Sequence, residues 1–488
     1  MSQDQSEQKT VVPFLSTRLS TIVFLATLTF VIVFSFSTLV TKPRLWTDEA
    51  VSIDIARSFL IYGVLSPQIA PGALYSLPHL IQSTGYPVTV ALASVFKIFG
   101  YGLYQARTFM LVWMLAVLAA LFYVGRKIFD DFSACSALLL IASFASFYGS
   151  GRTVVGEIPG FLFLISGLYF LFFRERLLWS GLFLGLAVVT KPSVFGLLIP
   201  TLFFATLLEH KSFSEFCRKL FTLALGMIPA ALGWIIFVLQ NPFNFSTWAS
   251  LGNFYKNPYS SSIAENIIHN LYGIFHSTTL IYFIFLAIII ITARFFIRDH
   301  RIAFLYDFVI IYGIFAFLYY LRSPGWLRYI LIAELLILFL LPNALFTVVT
   351  WFRQKFSFFK LAPKNFVAIC VTALVCVQLV QMFTVADIFY SDGDLRVAKY
   401  INNKFPQKST SFLNALNAAV LAETLKRYNT FTLTGMPLFG TNTLLGKDLP
   451  EVIVSHEGDP FLKEGKAVLD SRYVTEGKVA GYSIYIKK

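Results

Sequence analysis

Hydrophobic residues in this chain run together; they neither alternate nor mark one face of a helix. Long apolar stretches occupy about residues 20–40, 105–125, 132–149, 157–173, 177–190, 193–208, 218–239, 267–292, 302–320, 327–349 and 365–386. Most approach the roughly 20 apolar residues that a helix needs to cross a bilayer. The pattern predicts a polytopic α-helical membrane protein with about 11 transmembrane helices. The two shortest stretches flank Lys191-Pro192, and a helix break there is tolerable only within protein or beside a watery cavity. The first run is too long for a signal-peptide core and lacks a convincing cleavage site, so it reads as an uncleaved span.

From about residue 388 the pattern changes. The last hundred residues mix charges, Gly and Asn with short apolar runs. "DLRVAKYINNKF" predicts an amphipathic helix, and "EVIVSH" and "YSIYIKK" predict strands. Residues 388–488 are therefore expected to form a small soluble α/β domain. Composition agrees: 57% of the 488 residues are hydrophobic and 13% charged, against about 25% charged in soluble domains. The net charge of +13 does not point to nucleic acid. The basic residues gather in short loops, at Arg126-Lys127, Arg174 and Arg176, Lys211 to Lys219, Arg294 to Arg301 and Arg353 to Lys364. Loops of that kind lie in the cytoplasm. That places the N-terminal tail, 1–19, inside and the C-terminal domain outside. The six histidines form no cluster, and the four cysteines form no Cys-x-x-Cys, so neither a zinc site nor a disulfide framework is expected.

This topology gathers the remaining charges on the outer side. The long first outer loop, 41–104, carries Asp48, Glu49, Asp54, Arg57, His79 and Lys97. Later outer loops carry Arg152 and Glu157, then Lys191, then Arg322 and Arg328. Ionisable groups at membrane depth are costly and face a cavity or a partner. Carboxylates and cations at a lipid–water boundary suit one chemistry in particular. A carboxylate takes a proton from an incoming hydroxyl or amine, and cations hold an anionic leaving group such as a lipid phosphate. Structural readings stand beside this one. Thr47 can cap an interfacial helix whose first turn welcomes Asp48 and Glu49. Glu157 can serve another helix start, and the arginines can snorkel at helix ends.

Several segments taken together resemble the GT-C superfamily of membrane glycosyltransferases, nearest its protein mannosyltransferase and aminoarabinose transferase group. They are "WTDEA" after the first span, "GYPVTVALASVFKIFG" in the same loop, "ARTFMLVWMLAVLAALFYVGRKIFDD", "GRTVVGEIPGFLF" and "GLFLGLAVVTKPS", with "WLRYILIAELLILFL" a fainter echo. The resemblance covers about residues 20–350 and implies a GT-C-like membrane domain over 20–387, followed by an extracytoplasmic α/β domain. It implies transfer of a sugar, with inversion, from a polyprenyl-phosphate donor to a lipid, glycan or protein acceptor on the outer or lumenal face. Asp48, Glu49 and Glu157 match catalytic acids of the family. Arg152, Lys191, Arg322 and Arg328 are candidates for holding the donor phosphate, and Tyr86, Arg57 and Lys97 for lining the substrate pocket. Many members carry His-Pro-Pro or Lys-Pro-Pro where this chain has Gly85-Tyr86-Pro87. No cofactor is therefore certain, and a divalent metal stays open. The expected location is a bacterial inner membrane. The alternatives are a lipid-linked glycan transporter or flippase, a glycan ligase, and a non-catalytic scaffold. No inverted repeat of the transporter kind is visible.

Overall fold

The computed structural model describes residues 17–70, 73–75, 82–209, 212–239, 242–256, 262–356, 361–388, 392–422, 427–430, 449–456 and 466–488. His79 and the N-terminal residues up to 16 lie outside the described residues.

The first half is built from α1 (Thr17–Ser37), α2 (Thr47–Tyr62), the short strands β1 (Gln68–Ala70) and β2 (Ala73–Leu74), α3 (Tyr86–Phe99) and α4 (Leu103–Ile128). Next come α5 (Asp131–Ala142), α6 (Ala145–Gly151), α7 (Glu157–Phe172), α8 (Leu177–Thr190), α9 (Pro192–Phe195), α10 (Leu198–Glu209) and α11 (Phe213–Val238). The second half holds α12 (Phe245–Lys256), α13 (Ile263–Ile274), α14 (Thr278–Arg294), α15 (His300–Arg322), a 3-10 turn (Leu327–Tyr329), α16 (Leu331–Lys355) and α17 (Pro363–Ile388).

Six of the described helices, and a seventh stretch formed by α9 and α10 together (Pro192–Glu209), are long and apolar enough to cross a membrane. The number rises to nine if the bent pairs α5/α6 (68°) and α13/α14 (80°) each count as one span. The expected spans 157–173 and 177–190 are helices of 16 and 14 residues, shorter than a bilayer requires. The seven-to-nine range therefore stands against the eleven expected. Helix α16 is the central pillar: 78% of its apolar window is buried, against 50% or less in the other long helices. Side chains such as Ile22, Phe221, Ile236 and Val380 are exposed on α1, α11 and α17, as a bilayer-facing surface demands. At one end of the bundle Asp131 joins three elements, accepting from Ser20 and Arg126 at 2.7 Å each.

The chain after 392 forms α18 (Gly393–Lys404), β3 (Thr410–Leu413), α19 (Leu416–Leu421), β4 (Arg427–Thr430), β5 (Val452–His456), α20 (Lys466–Arg472), β6 (Tyr473–Val479) and β7 (Tyr482–Lys487). The sheet order is β4-β3-β5-β7-β6. Strand β3 runs parallel to β4 and β5, and the β5–β7–β6 part is antiparallel. Strand β5 is buried on both faces, with Val452, Ile453 and Val454 nearly inaccessible, so its sequence is a continuous apolar run. This unit docks onto the segment between α1 and α4. Leu416 and Val420 of α19 share a core with Ala50, Ile53 and Leu92 of α2 and α3. Asn417 donates to the Leu45 carbonyl at 3.1 Å.

Candidate active site

Helix α2 carries the two adjacent acids. Its N-cap is Trp46 in extended conformation, with no capping side chain, and Thr47 is the first helical residue. The expected Thr47 cap is thus replaced by a start one residue earlier. Asp48 and Glu49 occupy the first turn, where the helix dipole favours negative charge. The helix stops at Gly63, whose φ of 71° gives the left-handed cap and returns its N–H to Phe59.

Consecutive helical residues diverge by about 100°, so the two acids face different neighbours. Glu49 turns inward. It accepts from Arg107 Nε at 2.8 Å and Nη2 at 2.7 Å, with both side chains fully buried. Arg107 also donates to the Leu39 carbonyl at 2.9 Å. The pair pins α2 to α4. Asp48 turns toward a cavity of about 730 Å³ and accepts from Arg328 Nη1 at 2.5 Å. Burial works against the charge on Asp48, but Arg328, with Lys191 behind it, prevails and holds the carboxyl below its usual range. Burial likewise opposes the charge on Arg328, and Asp48 and Glu157 more than compensate, raising it.

Arg328 is fixed from every side. Its guanidinium lies over the rings of Trp46, Trp326 and Tyr329 at 4.7, 4.6 and 5.5 Å, a stacking that the planar guanidinium favours. Its Nε has no hydrogen-bond partner. The loop that carries it is held by Asn270 of α13, whose amide donates to the carbonyls of Tyr320, Leu321 and Ser323 at 3.2, 3.0 and 2.7 Å.

Arg152, just beyond α6, lines the same cavity. It donates to Thr38 Oγ1 at 2.7 Å and packs over Phe34 and Tyr148. No acid pairs with it among the described residues, and its Nε is buried without a partner. Burial, with Arg107 nearby, pushes its pKa down to about 10. The rest of the lining is largely apolar or aromatic, and it includes the carboxyl of Glu334 on α16, whose Oε1 is also buried without a partner.

Behind Asp48 lies a second ion pair. Glu157 opens α7, fully buried, with Lys191 Nζ 3.6 Å from its Oε1. Lys191 is placed by the break between α8 and α9, and the glycines of two other motifs close on that break. Gly85 N–H donates to the Thr190 carbonyl at 2.8 Å, and a Cβ on Gly85 would fall 1.8 Å from the Val189 carbonyl oxygen. A Cβ on Gly156 would fall 2.4 Å from the Thr190 oxygen. "GYP", "GRTVVGE" and "VTKPS" therefore meet at one backbone junction.

The structure thus brings Asp48, Arg152 and Arg328 to one cavity, with Glu157 and Lys191 beside it. It does not bring the other candidates there. Arg57 is buried against Asp54 at 3.1 Å and Gln68 at 3.0 Å, tying α2 to β1. Tyr86 stacks on Phe237 and donates to the Ala230 carbonyl at 3.3 Å. Lys97 is exposed on α3. Arg322 donates to the Lys256 carbonyl. The donor set does not suit a divalent ion. Asp48 and Glu157 each have a cation against them, and among the described residues no three His, Cys, Asp or Glu side chains come together. Sequence reasoning passed over Arg107, the Trp46–Trp326 cage and Glu334. The last did leave a signal, a single acid in the apolar run "AELLILFL".

Residues 87–234 match the family model described as dolichyl-phosphate-mannose-protein mannosyltransferase; the Asp48 segment lies outside that match. Over nearly its whole length the fold is similar to that of ArnT from Cupriavidus metallidurans bound to undecaprenyl phosphate. The TM-score is 0.60 and the identity 12%, over 96% of this chain and 98% of that one. It is also similar to the Archaeoglobus fulgidus oligosaccharyltransferase in its complex with Zn and sulfate. There the TM-score is 0.54 and the identity 11%, over 89% of this chain and 68% of that one. No curated protein matches the sequence. The chain is a multi-pass membrane protein whose fold is similar to those of ArnT and the oligosaccharyltransferase.

Proposed function

We propose that the protein is a glycosyltransferase that moves a sugar from a polyprenyl-phosphate donor to an acceptor on the extracytoplasmic face, with inversion at the anomeric carbon. The observation that carries this reading is the placement of Asp48, 2.5 Å from Arg328, on a cavity that Arg152, a cation with no acid against it among the described residues, also lines. The acceptor oxygen attacks the anomeric carbon and its proton passes to Asp48. The bond from the anomeric carbon to the phosphate oxygen breaks, and its electron pair leaves on the lipid phosphate. Arg152 and Arg328 hold that growing negative charge. Glu157 and Lys191 support the site from behind, keeping the α8–α9 break in register with Asp48. ArnT with its undecaprenyl phosphate is the fold neighbour that supports a lipid-phosphate donor. In this reading the two short helices α7 and α8 complete eleven spans, residues 388–488 lie outside the membrane, and a bacterial inner membrane is the host.

The test is release of polyprenyl phosphate from a panel of polyprenyl-phosphate sugars by the purified full chain and by Asp48→Asn. Turnover of one donor that the variant loses, with folding intact, is the expected result. Equal turnover by the variant rejects Asp48 as the base.

A further inference from the structure

Leu416 and Val420 of α19 are buried against α2 and α3, and this contact delivers Asn417 to the backbone just before α2. The Asn417 amide nitrogen has two hydrogens. It donates to the Leu45 carbonyl at 3.1 Å and to Asp394 Oδ2 at 3.5 Å. Asp394, in the first turn of α18, is itself buried, and its Oδ1 accepts from the Tyr482 hydroxyl of β7. A flipped amide would set its oxygen against a carbonyl and a carboxylate, so these two acceptors fix which way the amide faces. The Asn417 Oδ1 is left buried without a partner.

The backbone held in this way carries the site. Trp46 follows Leu45 and begins α2 with no capping side chain; its carbonyl accepts the Ala50 N–H at 3.0 Å. Its indole is one of three rings around Arg328, and the other two, Trp326 and Tyr329, sit on the same loop as Arg328. Trp46 is thus the ring through which that loop meets α2, and Asp48 lies two residues further on. The segment 38–46 is tied at its start by Arg152 and Arg107, on Thr38 and on the Leu39 carbonyl, and at its end by Asn417 on the Leu45 carbonyl.

We propose that Asn417 is a positioning residue of the active site: oriented by Asp394 and Tyr482, it fixes the Leu45–Trp46 backbone and so keeps Asp48 in register with Arg328. The proposal rests on the glycosyltransferase reading and gives the C-terminal unit a part in it. Without the Asn417 hydrogen bond the end of the segment shifts, the Trp46 indole slips from Arg328, and the Asp48–Arg328 contact loosens.

The test is the pH–rate profile of polyprenyl-phosphate release by the full chain, with the donor panel named above, in wild type, Asn417→Ala and Tyr482→Phe. Arg328 and Lys191 hold the Asp48 carboxyl below its usual range, so a loosened Arg328 moves the acid limb to higher pH. Asn417→Ala is expected to move the limb upward and to slow release about tenfold or more at a temperature where it stays folded, as a misplaced reacting group does. Tyr482→Phe frees only Asp394 and moves the limb the same way by less. Leu469→Ala, in a separate apolar core of the C-terminal unit, is the control: it lowers the melting midpoint and leaves the limb in place. An unmoved limb in Asn417→Ala, or an equal movement in Leu469→Ala, overturns the proposal. A second readout needs no turnover. In a cycle of Asn417→Ala, Arg328→Gln and the double variant, the losses in melting midpoint are expected to be less than additive, because both changes act on the Trp46–Arg328 contact. Additive losses overturn the proposal. Non-additive losses in a chain that turns over no donor defeat the glycosyltransferase reading and leave Asn417 as the residue that positions Asp48 against Arg328.

Discussion

Asp48 and Glu49 are neighbours of the same chemistry, and the structure gives them opposite duties. Glu49→Gln leaves the Arg107 guanidinium fully buried with only the Leu39 carbonyl and a neutral amide against it. Removing one partner of a buried ion pair costs about 3–5 kcal/mol, which lowers the folding equilibrium constant by roughly two to four powers of ten. Asp48→Asn removes a partly exposed carboxylate from an arginine that three rings still hold. Its stability cost is about 1.5–3 kcal/mol, that of a hydrogen bond to a charged group, smaller than for Glu49→Gln because the pair is partly exposed. Its larger effect is on rate: loss of a general base slows transfer by about 10²–10⁴, or about 3–5 kcal/mol in the barrier. The assay pairs the unfolding midpoint in detergent with the initial rate of polyprenyl-phosphate release. Glu49→Gln is expected to melt earliest, and Asp48→Asn to melt closer to wild type but turn over slowly. A double change, Glu49→Leu with Arg107→Met, removes both charges and recovers much of the lost stability. The reasoning is refuted if Glu49→Gln keeps wild-type stability while losing rate, or if Asp48→Asn melts as early as Glu49→Gln.

Three further outcomes follow from the same site. Asp48 is held below its usual value of 3.8, so the acid limb of the rate profile lies below that value. Its stabilising contribution is present above pH 3.8 and is lost as pH falls through the lower folded value. Arg328→Gln removes the partner and leaves burial, so the acid limb moves to higher pH; an unmoved limb in a pH–rate series excludes Asp48 as the titrating base. Arg152→Leu removes a charged hydrogen-bond donor worth about 1.5–3 kcal/mol and raises the donor's half-saturating concentration about tenfold or more. Arg152→Lys recovers only part of this, because an ammonium lacks the planar fork. Gly85→Ala forces a Cβ to within 1.8 Å of the Val189 carbonyl oxygen. It costs about 1–3 kcal/mol or more of stability and lowers the rate by shifting the Lys191 junction, read by melting and turnover together.

The long helices were legible because bilayer length is a one-dimensional signal. Runs predicted at 302–320 and 365–386 became His300–Arg322 and Pro363–Ile388. The partners of the charges were not legible in the same way. Glu49 and Arg107 lie 58 positions apart, and Asp48 and Arg328 lie 280 apart. Nothing in the local pattern distinguishes the acid that meets a cavity from the one that meets a buried arginine. Helical geometry says only that the two must diverge. The same limit applies to Arg57 and Tyr86, whose chemistry suggests a pocket but whose side chains bind Asp54, Gln68 and the Ala230 carbonyl.

The helices hardest to count are the ones that make the site. Glu157–Phe172 and Leu177–Thr190 are too short to satisfy a length rule, and their shortness is why Glu157 and Lys191 lie inside the protein. A span that continued through residue 191 would keep Lys191 on a helix flank, where its ammonium could snorkel to water. Ending at Thr190, with Pro192 starting the next turn and Gly85 and Gly156 pressed against the break, the chain instead delivers the ammonium to the buried Glu157 carboxyl. Breaks of this kind are stable only where protein surrounds them. The Gly-Tyr-Pro segment helps to supply that surrounding through its backbone, so a segment with no charge of its own still has a function here: it holds in place the lysine that a later loop provides.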